Sequence, residues 1–208
     1  MPHIETTSAF IALSLLLAFT PGPDNLFVVM LSASQGKKAG LVVVLGLCTG
    51  LIVHTVAVAL GLAAVFATSA IAFSVFKVIG AVYLAWLAWQ AYRAPVSAPN
   101  SVAPDYVPLR RLYIRGIVMN VTNPKVALFF LAFLPPFVDP KLGSITLQLL
   151  WFGFVFILSA LFAFGGMTYL AAYFGKLLLG STRARRVMNR LTAAVFAGLA
   201  LRLATAQR

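Results

Sequence analysis

Acidic residues are nearly missing from this chain. Its 208 residues hold four, Glu5, Asp24, Asp105 and Asp139, against sixteen lysines and arginines. Charged residues of both signs make up 10% of it, where soluble domains carry about 25%. Cysteine is down to one, Cys48, which excludes an internal disulfide, a thiol–disulfide relay and a cysteine metal cluster. With two histidines and one cysteine, neither a metal centre nor any other cofactor is expected. No glycine-rich loop ending in Gly-Lys-Ser/Thr occurs, which argues against ATP-driven transport by this chain alone. The start lacks the basic region of a cleavable signal peptide and offers Glu5 instead, so the first apolar run reads as a retained helix. The net charge of +12 does not mark a nucleic-acid partner. Its lysines and arginines lie in short loops between apolar runs, where the positive-inside bias puts them.

Apolar residues fill the space, at 62% of the sequence. They fall into six runs, at about 8–31, 40–65, 70–92, 114–135, 147–174 and 187–206. A membrane-spanning helix needs about 20 apolar residues, and each run meets or approaches that. The reading is an all-α integral membrane protein of about six transmembrane helices in one domain, with the lipid bilayer as solvent. Connections are short except for 94–109, where Pro95, Pro99, Pro104 and Pro108 sit among small polar residues. Eleven of the sixteen basic residues follow the first, third and fifth runs. Those loops are therefore expected in the cytoplasm and both termini outside. The sixth run is the shortest, with Leu191–Leu201 between Arg190 and Arg202. It spans if both arginines snorkel to the interfaces; otherwise it lies along the membrane surface.

Two runs are interrupted. In the first stands Thr20-Pro21-Gly22-Pro23-Asp24-Asn25. Each proline lacks an amide hydrogen and clashes with the carbonyl one turn earlier, so an unbroken helix is excluded. A carboxylate at that depth is costly and is read by default as functional, against the alternative of a kink whose acid pairs with a neighbour. The fourth run repeats the pattern with Asn120-Val121-Thr122-Asn123-Pro124-Lys125. The two breaks each open a group of three spans. Three is odd, so the halves take opposite orientations: inverted repeats over about 8–92 and 114–206, with broken helices one and four.

These breaks supply the candidate site. Pro23 suits the first turn of a second half-helix, with Asp24 near its positive end, placed to hold or release a proton. Asn123 fits an N-cap and Pro124 a first helical residue, and the free amides beyond them, with Lys125, attract an anion. One negative and one positive centre match a zwitterion, with its ammonium on Asp24 and its carboxylate near Lys125. The alternative is that Asp24 and Lys125 neutralise each other without a ligand. Gly46, Gly50 and His54 are four apart and share a helix face, a packing surface on which His54 is either a proton relay or a neutral hydrogen-bonding partner. Gly80 points to another close crossing. Gly165-Gly166 permits a bend or a close contact.

In series, Thr20-Pro21-Gly22-Pro23-Asp24-Asn25, Gly46-x-x-x-Gly50 with His54, Lys77-x-x-Gly80-x-x-Tyr83-Leu84 and Asn123-Pro124-Lys125 with Phe129-Phe130 resemble the lysine exporter family, in its homoserine/threonine exporter branch. The resemblance covers nearly the whole chain. It implies export of a small amino acid or derivative from the bacterial cytoplasm by proton antiport across the inner membrane, with no enzymatic activity. A homo-oligomer is compatible with it. On this reading the substrate and proton site comprises Thr20, Asp24, Asn25, Asn120, Asn123 and Lys125. Two other classes compete: a cation transporter using the Asp and Asn oxygens of the breaks, against which Lys125 argues, and a membrane-embedded enzyme using Asp24 and His54.

Overall fold

Prolines set where the interrupted runs restart. A proline has no amide hydrogen and fits only the first turn of a helix. Helices α2 (Pro23–Gln35) and α6 (Pro124–Phe133) both begin on one. Their preceding halves, α1 (Ile4–Phe19) and α5 (Leu109–Val121), end just before, and the chain bends by 62° at the first break and 51° at the second. The computed structural model describes residues 2–20, 22–68, 70–93, 107–180 and 182–205, with the backbone alone at some helical positions, among them most of 62–77 and 175–185. Pro21 and most of the 94–109 linker lie outside the described residues, as do the side-chain surroundings of Lys77 and Gly80.

The remaining helices are α3 (Lys37–Thr68), α4 (Ala70–Arg93), α7 (Ile145–Gly180) and α8 (Thr182–Thr205), with 3-10 turns at Pro135–Phe137 and Pro140–Leu142. All elements among the described residues are helical. Two helices are long and apolar enough to cross a membrane, over Lys37–Gly61 and Ile145–Phe174. Each bent pair qualifies as one broken span, which raises the count among the described residues to four. Helices α4 and α8, of 24 residues each, coincide with the third and sixth apolar runs and pack on each other.

Helix α3 is central and lies along α5 and α7, while α7 also holds α1 and α2. In a bilayer such contacts rest on close packing and hydrogen bonds, because lipid tails are as apolar as the side chains. The glycines show where this closeness is demanded. A Cβ on Gly46 would run into the Tyr113 carbonyl and stand 3.1 Å from the Gly116 Cα, so α3 and α5 cross backbone to backbone. A Cβ on Gly153 would run into Thr55, which sets the α3–α7 crossing in the same way. Around Gly165 and Gly166, by contrast, no described atom lies within 4 Å of an added Cβ, and α7 continues through them. The close contact allowed for by that glycine pair is thus made at Gly153 instead.

On the side of the breaks where α1 begins and α6 ends, phenylalanines form a continuous cluster. Phe10 meets Phe152 and Phe137 at centroid distances of 4.8 and 5.0 Å, and Phe129 meets Phe156 and Phe133 at 5.0 and 5.2 Å. These separations suit edge and offset packing, in which each pair adds about 0.5–1.5 kcal/mol beyond its buried area. Trp89 and Tyr92 are exposed near the end of α4, and Arg93 lies over the Trp89 ring at 4.4 Å, as expected of an interfacial aromatic belt.

Candidate functional site at the two helix breaks

Each restarting half-helix carries a charge at its second position, Asp24 on α2 and Lys125 on α6. Asn123 ties the two together. Its Oδ1 caps α6 by accepting from the Lys125 backbone N–H at 3.0 Å, and its Nδ2 donates to Asp24 Oδ2 at 2.9 Å. One amide thus caps the second break and grips the acid of the first.

Lys125 sits at a helix N-terminus, the wrong end for a cation. Its side chain instead crosses to the C-terminal end of α1, where orphan carbonyls favour positive charge. Nζ donates to the Thr20 carbonyl at 3.0 Å and the Leu17 carbonyl at 3.4 Å. It also lies 5.3 Å from the ring centre of buried Phe196 on α8. Gly22, the residue before Pro23, lies beside this crossing, and a Cβ on it would stand 3.4 Å from Nζ, in ordinary contact. Within 4 Å, the distance of an ion pair, Asp24 and Lys125 do not meet. Each has an anchorage of its own, while the two opposite charges still attract each other across the pocket.

Asp24 is left with an open position. It is 4% exposed and Asn120 is 2% exposed; the Asn120 side chain lies within interaction distance of the Asp24 carboxyl, yet Asp24 Oδ1 and Asn120 Oδ1 make no well-formed hydrogen bond among the described residues. Buried polar atoms are nearly always paired, and a carboxylate oxygen left bare costs several times more than a neutral one. Both residues line a small pocket, partly open to the outside. Asn25, Asn123, Gly22 and Lys125 complete its polar end, while Leu17, Leu51, Val126, Phe156 and Phe164 form apolar walls. A donor such as an ammonium group, or a single proton on the carboxyl, would satisfy the bare oxygens.

The other candidates hold this arrangement in place. Asn25 Nδ2 donates to the Ala18 carbonyl at 2.7 Å and approaches the Met167 sulfur at 3.7 Å, which ties α2 back to α1 and α7. The Thr20 hydroxyl donates to the Leu16 carbonyl at 2.7 Å, so its contribution to the site is its own carbonyl. His54 is half-buried, outside the pocket wall, and its Nε2–H donates to the Asn120 carbonyl at 3.1 Å. Gly50, one turn earlier, faces the Asn120 side chain: a Cβ there would stand 2.7 Å from Oδ1. The Gly46, Gly50 and His54 face of α3 therefore seats Gly116 and Asn120 of α5. Gly116 was not foreseen as a packing residue, although it precedes Asn120 by one helical turn. Nor were the walls Leu51, Phe156 and Phe164, whose convergence is tertiary. Tyr83 turns its hydroxyl inward, where it has no partner among the described residues.

An apolar helical bundle with a buried acid and a half-buried lysine at two helix breaks matches the architecture of a membrane transporter. The family described as LysE type translocator matches residues 15–207, and the chain belongs to that family of transporters. It is 32% identical over 206 residues to an uncharacterized membrane protein of Vibrio cholerae, covering 98% of each chain. It is 31% identical to a homoserine/homoserine lactone efflux protein of Salmonella typhi over 64% of this chain and 65% of that one. A leucine efflux protein of Salmonella choleraesuis is 27% identical over 93% of this chain and 92% of its own. No solved structure matches the chain.

Proposed function

We propose that the protein exports small amino acids from the bacterial cytoplasm across the inner membrane in exchange for protons. The observation that carries this reading is the bare, buried Asp24 Oδ1 beside Asn120 Oδ1 at the polar end of an otherwise apolar pocket. A substrate ammonium donates to these two oxygens, and its carboxylate lies towards the amides and ammonium at the start of α6. When the substrate leaves, a proton replaces it on Asp24 Oδ1. One oxygen cannot hold both at once, and that exclusion makes the process an exchange. The relatives' printed names, homoserine/homoserine lactone and leucine efflux, support the substrate class. The same oxygens suit a metal cation, but Lys125 lines the pocket and repels one.

The inverted repeat belongs to this reading. Exchanging α1–α4 with α5–α8 maps the α3·α5 contact onto α7·α1 and α2·α7 onto α6·α3, while α3·α7 and α4·α8 map onto themselves. These contacts occur, which supports halves of about 8–92 and 114–206 joined by the linker of about 94–109, although α2·α3 and α4·α6 have no comparable counterpart. Phe196 of α8 reaching Lys125 at the break supports a sixth helix at membrane depth rather than along the surface. Both termini then face the periplasm.

The test is uptake of labelled homoserine and leucine into proteoliposomes of the purified full chain, with and without an imposed pH gradient. Accumulation that follows the gradient and collapses with a protonophore is expected. Amino-acid flux indifferent to both would refute the coupling, and no flux of either amino acid would count against the substrate class.

A further inference from the structure

Acids are so scarce here that the charge of a bound substrate can be followed residue by residue. Of the four carboxylates, Asp105 lies in the proline-rich linker, while Glu5 at the start of α1 and Asp139 between the 3-10 turns are exposed. That leaves Asp24 as the sequence's one acid within an apolar run, and Lys125 is the basic residue lining the same pocket. With Asp24 ionised and Lys125 charged the site is neutral, and it remains neutral when a zwitterion displaces the proton. Beyond its polar end the pocket continues between Leu51, Val126, Phe156 and Phe164. A substrate side chain placed there meets carbon.

We infer that this pocket selects amino acids of zero net charge with apolar side chains and excludes those with a cationic side chain, and that Asn120 is the residue that completes the ammonium's acceptor pair. This rests on the amino-acid reading above. Asn120 is held for the task from α3. Its carbonyl takes the His54 N–H, and its amide lies on Gly50, where only the absence of a side chain leaves it space. A lysine substrate would need a second acid for its side-chain ammonium, and no such acid lines the pocket among the described residues. An unpaired charge at membrane depth would weaken binding on the order of a hundredfold, and water entering through the open side reduces that to about tenfold or more.

The test is ligand-induced thermal stabilisation of the purified full chain, comparing norleucine, lysine and Nε-acetyl-lysine. Norleucine is lysine with its side-chain amine removed, and acetyl-lysine is longer than lysine but uncharged. Norleucine is expected to bind at least tenfold more tightly than lysine, with acetyl-lysine nearer to norleucine. A norleucine-to-lysine ratio below tenfold overturns the inference while leaving amino-acid transport intact. Acetyl-lysine excluded as strongly as lysine also overturns it, because size would then be the cause. If leucine, homoserine and norleucine all fail to stabilise the protein, the amino-acid reading itself fails and this one with it. As a gain of function, membrane-inserted Phe164→Glu supplies an acid in the apolar wall and is expected to acquire lysine binding. An inserted Asn120→Leu that binds norleucine as tightly as the unsubstituted chain overturns the place given to Asn120.

Discussion

Gly50→Ala is the smallest change that separates the two tasks of the α3–α5 seam. The new methyl would stand 2.7 Å from Asn120 Cβ and Oδ1 and 3.0 Å from Cγ, where ordinary contact begins at 3.4 Å. Asn120 must therefore retreat by roughly 0.7 Å, or the helices must part. The amide can turn aside and leave the acceptor pair, but Asn120 Cβ moves only with the α5 backbone, so the helices part as well. A misplacement near 1 Å at a reacting or binding centre costs up to about a hundredfold. Efflux by Gly50→Ala, normalised to inserted protein, is expected to fall at least tenfold, more than its overpacking cost of about 1–3 kcal/mol in stability explains. Gly46→Ala is the contrast. Its methyl meets the Tyr113 carbonyl and the Gly116 backbone, which cannot turn aside, so overpacking of about 1–3 kcal/mol should appear as lost stability. Gly165→Ala has open space around it and should change neither. Thermal unfolding and normalised efflux on the three variants decide the matter. Gly50→Ala transporting at the wild-type rate would refute the placement of Asn120 at the binding centre.

The remaining expectations are simpler. Asn123→Ala removes a cap worth about 1 kcal/mol together with the donor to Asp24 Oδ2, so both thermal midpoint and normalised efflux should drop. Asn123→Ser keeps a capping oxygen on a side chain too short to reach Asp24, and should recover the midpoint without recovering efflux. If His54 positions Asn120, His54→Gln, which retains an N–H donor, should transport across pH 6–8 with an unaltered profile, while His54→Phe should lose rate; a shifted profile in His54→Gln would instead favour a proton relay. Phe129→Ala opens the centre of the aromatic cluster and should cost about 3–5 kcal/mol in denaturant unfolding. A loss below 1 kcal/mol would mean that the cluster repacks freely.

What the sequence made legible was what its covalent chemistry dictates locally. Pro23 and Pro124 mark the restarts because a proline cannot stand deeper in a helix, and Asn123 before Pro124 is a cap by residue type. The shared face of Gly46, Gly50 and His54 follows from spacing alone. What lies opposite that face does not: nothing local says that Gly116 and Asn120 fill it. Lys125 shows the limit most clearly. Its charge and position suggested an anion or Asp24 as partner. Its actual acceptors are carbonyls left unpaired at the end of α1, more than a hundred positions away in the chain. Gly165-Gly166 taught the converse, since a glycine pair allows closeness without requiring it.

The central claim is that Asp24 exchanges a substrate ammonium for a proton, and normalised efflux of Asp24→Asn, Lys125→Met and the double variant tests it most directly. Asn at position 24 still presents an acceptor to Asn123, so the break and the inserted amount should survive. The uncharged amide can neither pair with an ammonium nor take up a proton, so efflux should vanish. Lys125→Met alone frees the α1 carbonyls and strands the buried carboxylate, with loss of protein as well as rate. In the double variant the charges again balance, and recovery of inserted protein without recovery of efflux is the predicted result. Efflux per inserted molecule restored in the double variant would contradict the account and make Asp24 a structural charge.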